Sequence, residues 1–218
     1  KRKGHYFFFK NDGMQNQSVL YIQDSLNAEP EVLLDPNKLS EDGTVALGTM
    51  AISNDGKYLA YSTSTSGSDW KDVFVKDIET KEDLDDTIKW MKFSGLSWKD
   101  DGFYYSRYDA PEEGTELSDK NEFHKVYYHK LGTKQEEDVL VYKNDDYPQR
   151  NYNVDVTEDE RFLILYEMES SSGNAMYVKD LTKENAEFIP IYTEFDKEIN
   201  VIDNIDDKLL VMTNISAP

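Results

Sequence analysis

The chain has 218 residues, a formal net charge of −20 and no Cys. That length suits one domain, and the missing Cys excludes disulfides, thiol catalysis and zinc–thiolate sites. Lys and Arg are scattered along an acidic chain, so the concentrated positive surface that nucleic acid or an anionic membrane demands is lacking, and neither is expected as a partner.

From the N-terminus, the first alternating apolar segments are Val19-Leu20-Tyr21-Ile22 and Val32-Leu33-Leu34, which read as half-buried strands. Next comes Ala51-Ile52-Ser53-Asn54-Asp55-Gly56-Lys57-Tyr58-Leu59-Ala60-Tyr61. Its Asp-Gly pair tolerates the positive φ of a tight reversal, and alternation resumes behind it. The pattern returns in Leu96-Ser97-Trp98-Lys99-Asp100-Asp101-Gly102-Phe103-Tyr104-Tyr105 and in Val156-Thr157-Glu158-Asp159-Glu160-Arg161-Phe162-Leu163-Ile164-Leu165. A weaker copy is Ile205-Asp206-Asp207-Lys208-Leu209-Leu210-Val211. Repeats spaced by roughly 45–60 residues are those of propeller blades.

A third strand follows each of the first three turns, at Val73–Asp77, Val126–His129 and Met176–Asp180. Polar reversals such as Glu79–Glu82 and Leu131–Lys134 come next, and Val139–Tyr142 and Phe188–Ile191 close their units. Each unit is thus one four-stranded antiparallel blade, which must stack on neighbours to bury both faces. The expected fold class is all-β, a β-propeller fragment with three fairly complete blades between about residues 45 and 195. Residues before Pro36 read as the later strands of an earlier blade, and those after Asn200 as the start of another. No helical period of note appears, and no apolar run approaches the roughly 18 residues of a spanning helix.

Nucleophilic chemistry needs a presented hydroxyl beside a base. The elbow Gly-x-Ser-x-Gly does not occur, and Ser66-Gly67-Ser68-Asp69, with no His near it in sequence, reads as a small polar loop. His124 and His129 stand five residues apart on or beside one strand, an odd spacing that puts them on opposite faces, so no shared metal is expected. Among 44 Asp and Glu no pair stands out for glycosidase chemistry. Calcium loops are absent; Asp100-Asp101-Gly102 and Glu41-Asp42-Gly43 are turns. Asn16-Gln17-Ser18 and Asn214-Ile215-Ser216 match the glycosylation triplet and are given no role. No metal or cofactor is expected.

Several segments together resemble the N-terminal propeller of the prolyl oligopeptidase (prolyl endopeptidase) family of serine peptidases. They are the stretch Asp12–Asp24, Leu34-Asp35-Pro36-Asn37 with Leu39–Leu47, Ser66-Gly67-Ser68-Asp69-Trp70, Lys92-Phe93-Ser94 followed by Trp98, and His124–His129 through Leu131-Gly132-Thr133. The resemblance is strongest from residue 1 to about 142. It implies a seven-bladed propeller over an α/β-hydrolase domain whose Ser-Asp-His triad cleaves after proline, the propeller admitting short peptides and excluding folded proteins. This chain then carries about four of those blades, as a partial N-terminal domain over residues 1–218, and the hydrolase domain with its triad is expected downstream, outside it. The expected partners are that hydrolase domain and short proline-containing peptides. Self-association through incomplete terminal blades is also expected.

The resemblance makes Phe93 a substrate-binding residue, lining the pocket for residues ahead of the proline; the competing reading is an inner-strand core aromatic. It also implies a methionine near Asn151 and Tyr152 and an arginine near Met168 to Ser171, and neither stands there. Two other functions fit the repeats: a non-catalytic propeller for protein binding, and the propeller of a dipeptidyl or acylaminoacyl peptidase. The chain opens on Lys1, so any targeting segment is expected upstream, and the compartment is the cytoplasm, or the periplasm where a signal peptide precedes.

Overall fold

The computed structural model describes residues 1–112, 114–115 and 120–216. They form two compact units, one of residues 1–91 with 131–136, the other of residues 92–130 with those from 137 onward. Both are built from antiparallel sheets, with only short 3-10 turns at Pro36–Lys38 and Gln135–Glu137.

In the first unit, β1 (Tyr6–Lys10), β2 (Val19–Gln23) and β3 (Glu31–Leu34) pair in order. A four-stranded sheet follows: β4 (Val45–Ile52), β5 (Tyr58–Thr65), β6 (Lys71–Asp77) and β7 (Asp83–Met91). Leu20, Ile22, Leu33 and Leu34 from the first sheet bury against Leu59 and Tyr61 of the second and Ile78 just after β6. The period-2 pattern therefore supplies both the strand and the face it buries. The sequence pattern does not predict β7. Its inward positions hold Asp86 and Ile88. Asp86 is buried with Oδ1 accepting the Gly132 N–H at 2.6 Å, so a carboxylate stands where alternation needs an apolar side chain.

The second unit holds β8 (Ser97–Lys99), β9 (Gly102–Arg107), β10 (Lys125–Lys130) and β11 (Val139–Tyr142), paired in order. Another four-stranded sheet follows, of β12 (Asn151–Val156), β13 (Phe162–Met168), β14 (Ala175–Asp180) and β15 (Ile189–Tyr192). The last pair is β16 (Ile199–Ile205) with β17 (Lys208–Thr213). One core lies between the first two of these sheets, around Tyr104, Val126, Tyr152, Val154, Leu163 and Leu165. A second lies between the latter two, around Phe162, Ile164, Tyr166, Met176, Val178 and Ile199.

Two of the repeated turns share one device. Ser53 Oγ donates to Asp55 Oδ1 at 2.7 Å and accepts from the Lys57 and Tyr58 amides. Thr157 Oγ1 does the same with Asp159 and the Phe162 amide. Gly56 takes the left-handed conformation in the first turn, whereas Glu160 takes it in the other, at φ 60°. In the second unit these turns are stitched in sequence order: Lys99 Nζ and the Asp100 N–H donate to Glu160, and Asn204 donates to Asp159 at 2.8 Å.

Candidate functional site

Lys92-Phe93-Ser94-Gly95 connects β7 to β8. Phe93 itself has φ 52°, left-handed backbone, which costs a bulky residue about 1–2 kcal/mol. Its ring is 52% exposed. Phe93 is therefore not an inner-strand core aromatic; it stands ahead of β8, while Trp98 is the buried ring, packed edge-on against Phe103 at 5.3 Å.

Three side chains hold this segment in place. His124 Nε2 donates to the Lys92 carbonyl at 2.9 Å. Ser94 Oγ accepts the Ser106 N–H at 2.7 Å, and Asn153 Oδ1 accepts the Gly95 N–H at 2.9 Å. At about 1 kcal/mol net each, they outweigh the backbone strain. The Lys92 ammonium lies 5.3 Å from the Phe93 ring centroid, a favourable cation–π placement.

The exposed ring borders a cavity of about 530 Å³ whose other walls are Ser94, Gly95, Asn151, Asn153, Met168, Ser170 and Ser171. The fold thus gathers Phe93, the start of β12 and the end of β13, the three segments the family resemblance singles out. In place of a methionine at the first wall and an arginine at the second stand Asn151 and the neutral group Met168, Ser170 and Ser171. The lining carries no charge, and its volume falls within the usual range for small-ligand sites.

A larger space of about 760 Å³ lies in the first unit, lined largely by charged side chains. Several of these pair with one another, Lys57 with Asp55, Lys81 with Glu31 and His5 with Asp24. It is a solvated charged cleft, and the smaller neutral cavity is the better candidate for binding.

His124 lies just before β10 rather than in it, and both it and His129 are fully buried. His124 Nδ1 accepts the Tyr152 N–H at 2.9 Å, so its proton sits on Nε2. Burial lowers its pKa to about 4, against a smaller opposing effect of the Lys92 carbonyl. Its ring neighbours those of Tyr108, at 4.5 Å, and Tyr152, at 6.2 Å. Tyr108 OH donates to Asn151 Oδ1, tying the same ladder of rings to the cavity wall. His129 Nδ1 meets Asp138 Oδ1 at 2.7 Å, and Tyr105 OH donates to Asp138 Oδ2 at 2.6 Å.

No cluster of three metal-ligating side chains occurs among the described residues. Ser66 and Gly67 are both left-handed, and Ser68 Oγ accepts the Trp70 N–H, which makes that loop a turn. Sequence reasoning missed Ser94, His124 and Asn153. The available signal was Asn at alternate positions of a strand, 151 and 153, where Asn is disfavoured.

Comparison with known proteins agrees with this architecture. A family model described as "Prolyl oligopeptidase, N-terminal beta-propeller domain" matches residues 1–218. The prolyl endopeptidase of Elizabethkingia meningoseptica is 48% identical over 219 residues, 100% of this chain and 31% of that protein. The dual-function macrocyclase-peptidase of Galerina marginata is 34% identical over 99% of this chain and 33% of its own length. Among solved structures, Galerina marginata prolyl oligopeptidase B bound to a 25mer macrocyclization substrate superposes with a TM-score of 0.89 at 33% identity, covering 99% of this chain and 33% of that one. A structure from a study of two prolyl endopeptidases gives a TM-score of 0.88 at 30% identity, over 99% of this chain and 31% of that one. The chain thus spans about a third of the length of the relatives it matches. With the whole chain matched and all its sheets antiparallel, this protein belongs to the prolyl oligopeptidase family, as its N-terminal β-propeller domain.

Proposed function

We propose that these residues form about four blades of a seven-bladed ring which covers an α/β-hydrolase domain of the same parent protein. The ring limits access to short peptides and lines part of the site where they are cleaved after proline. The observation that carries this reading is Phe93: an exposed aromatic on strained backbone, pinned from three sides, beside an uncharged cavity. The names of the relatives support proline as the cleavage residue. On this reading the cavity takes an uncharged peptide side chain ahead of the proline.

The test is Phe93→Ala in the full-length protein. Losing an aromatic wall costs on the order of 1–3 kcal/mol of binding. The Michaelis constant should rise for peptides extended ahead of proline, with minimal substrates little affected. Equal effects on both substrate classes would remove Phe93 from the site. The 218 residues hold no Gly-x-Ser-x-Gly elbow, so the isolated chain should not turn over a chromogenic proline peptide. Turnover that co-purifies with the chain and is blocked by a serine-directed inhibitor would refute that expectation.

A further inference from the structure

We propose that His124 is the positioning residue for Phe93: a neutral imidazole, protonated on Nε2, that ties the Lys92 carbonyl to the Tyr152 amide and so fixes where the Phe93 ring stands against the cavity. This rests on the reading of Phe93 as a substrate wall, and extends it to a residue that borders no part of the cavity.

The geometry allows one tautomer. A carbonyl oxygen accepts only, so Nε2 must donate to Lys92 O; an amide donates only, so Nδ1 must accept from Tyr152 N. The ring is thus a rigid strut between two backbone groups that lie 60 residues apart (152 − 92). One of those groups precedes Phe93. The other sits between Asn151 and Asn153, which both line the cavity. Asn153 then closes the loop by accepting the Gly95 N–H from the same strand. Phe93 is therefore bracketed, at the residue before and the second residue after, by ties to β12. The ring itself packs against those of Tyr108 and Tyr152. Left-handed backbone at a phenylalanine persists only where the surroundings over-determine it, and His124 supplies the tie on the N-terminal side.

The test uses the full-length protein and three variants. His124→Phe keeps a ring beside the two tyrosines and withdraws both hydrogen bonds. His124→Gln keeps one acceptor and one donor at similar spacing. Phe93→Ala reports on the substrate wall alone. With folding verified by circular dichroism, His124→Phe should raise amide exchange across residues 92–95 by about tenfold, the worth of one buried hydrogen bond, while exchange in β13 stays unchanged. Its Michaelis constant for extended peptides should rise on the order of fivefold, with kcat and minimal substrates held, and His124→Gln should restore most of both. In the Phe93→Ala background His124→Phe should add no further discrimination between substrates.

Unchanged exchange at 92–95 overturns the proposal. So does an equal loss on both substrate classes while Phe93→Ala separates them. If Phe93→Ala fails to separate the substrates, the substrate wall is refuted instead, and exchange at 92–95 alone decides whether His124 is the tie. Should His124→Phe not fold, His124→Asn, which keeps an oxygen near Nδ1 and withdraws the donor to Lys92, is read the same way.

Discussion

His124 and Phe93 show opposite ways for one side chain to resist its surroundings, one by burial and one by exposure. For His124 the consequence is acid sensitivity. Its folded pKa of about 4 lies below the ordinary value of 6.5. Between those values the unfolded chain binds a proton that the native chain refuses. Stability is therefore full above pH 6.5, falls by up to about 1.4 kcal/mol per pH unit through this window, and levels off below it as far as this residue is concerned. Urea unfolding of wild type and His124→Gln from pH 7 to 4 should show a shallower slope in the variant. Parallel slopes would mean that His124 titrates normally. Phe93 was singled out through the family resemblance, from Lys92 and Ser94 beside it in sequence. The ties that hold its segment gave no such signal, because His124 reaches it from ahead of β10 and Ser106 and Asn153 from other strands, and strand parity reports only which face a residue takes. That is why parity could count His124 as an unlikely metal ligand and give no hint that it is a strut.

At the level of strands, the Asp-Gly-type turns were legible because the reversal and the alternation behind it are both local. Where Gly does not take the left-handed position, another residue does, as Asp100, Glu160 and Asp206 do. β7 was illegible for the opposite reason: Gly132, whose amide donates to buried Asp86, stands far along the chain. The outer strands were harder too. In β11, Val139 and Leu140 face solvent, so apolar residues there do not mark a buried face. Gly102 opens β9 opposite Lys130, and a Cβ on it would lie 2.1 Å from the His129 carbonyl oxygen. Backbone cannot yield as a flexible side chain does, so Gly102→Ala should destabilise by about 1–3 kcal/mol. Thermal unfolding would report this as a clear drop in Tm, and an unchanged Tm would show that the β9–β10 pair shifts freely.

For the molecule as a whole, the informative surface is the β16–β17 pair. Leu209 and Val211 turn into the core around Phe162, whereas Ile202, Leu210 and Met212 are 63%, 52% and 61% exposed. A two-stranded sheet has two open edges and one apolar face turned to water, and such surfaces associate. The 218-residue chain should therefore show concentration-dependent mass in sedimentation. Leu210→Lys with Met212→Lys should suppress that while leaving the inward side chains in place. A monomer at every concentration would argue that the face is already satisfied. The repeat made the sheets countable from sequence, because each turn marks one hairpin. The number of blades in a complete propeller could not be counted in the same way, since this chain covers about a third of the relatives' length.

If Phe93 is the substrate wall proposed above, its left-handed backbone sets heat resistance against substrate choice. Asn and Gly occupy that conformation with less strain than a phenylalanine, so a library selected for melting temperature alone should drift toward Phe93→Asn or Phe93→Gly. The winners should be at least as robust as the parent on heating. They should also be blunter in telling long peptides from short ones, because selection will have removed the wall that required the strain. Sequencing such survivors, and finding position 93 unchanged throughout, would show that the segment pinned by His124 and Asn153 gains nothing from relief.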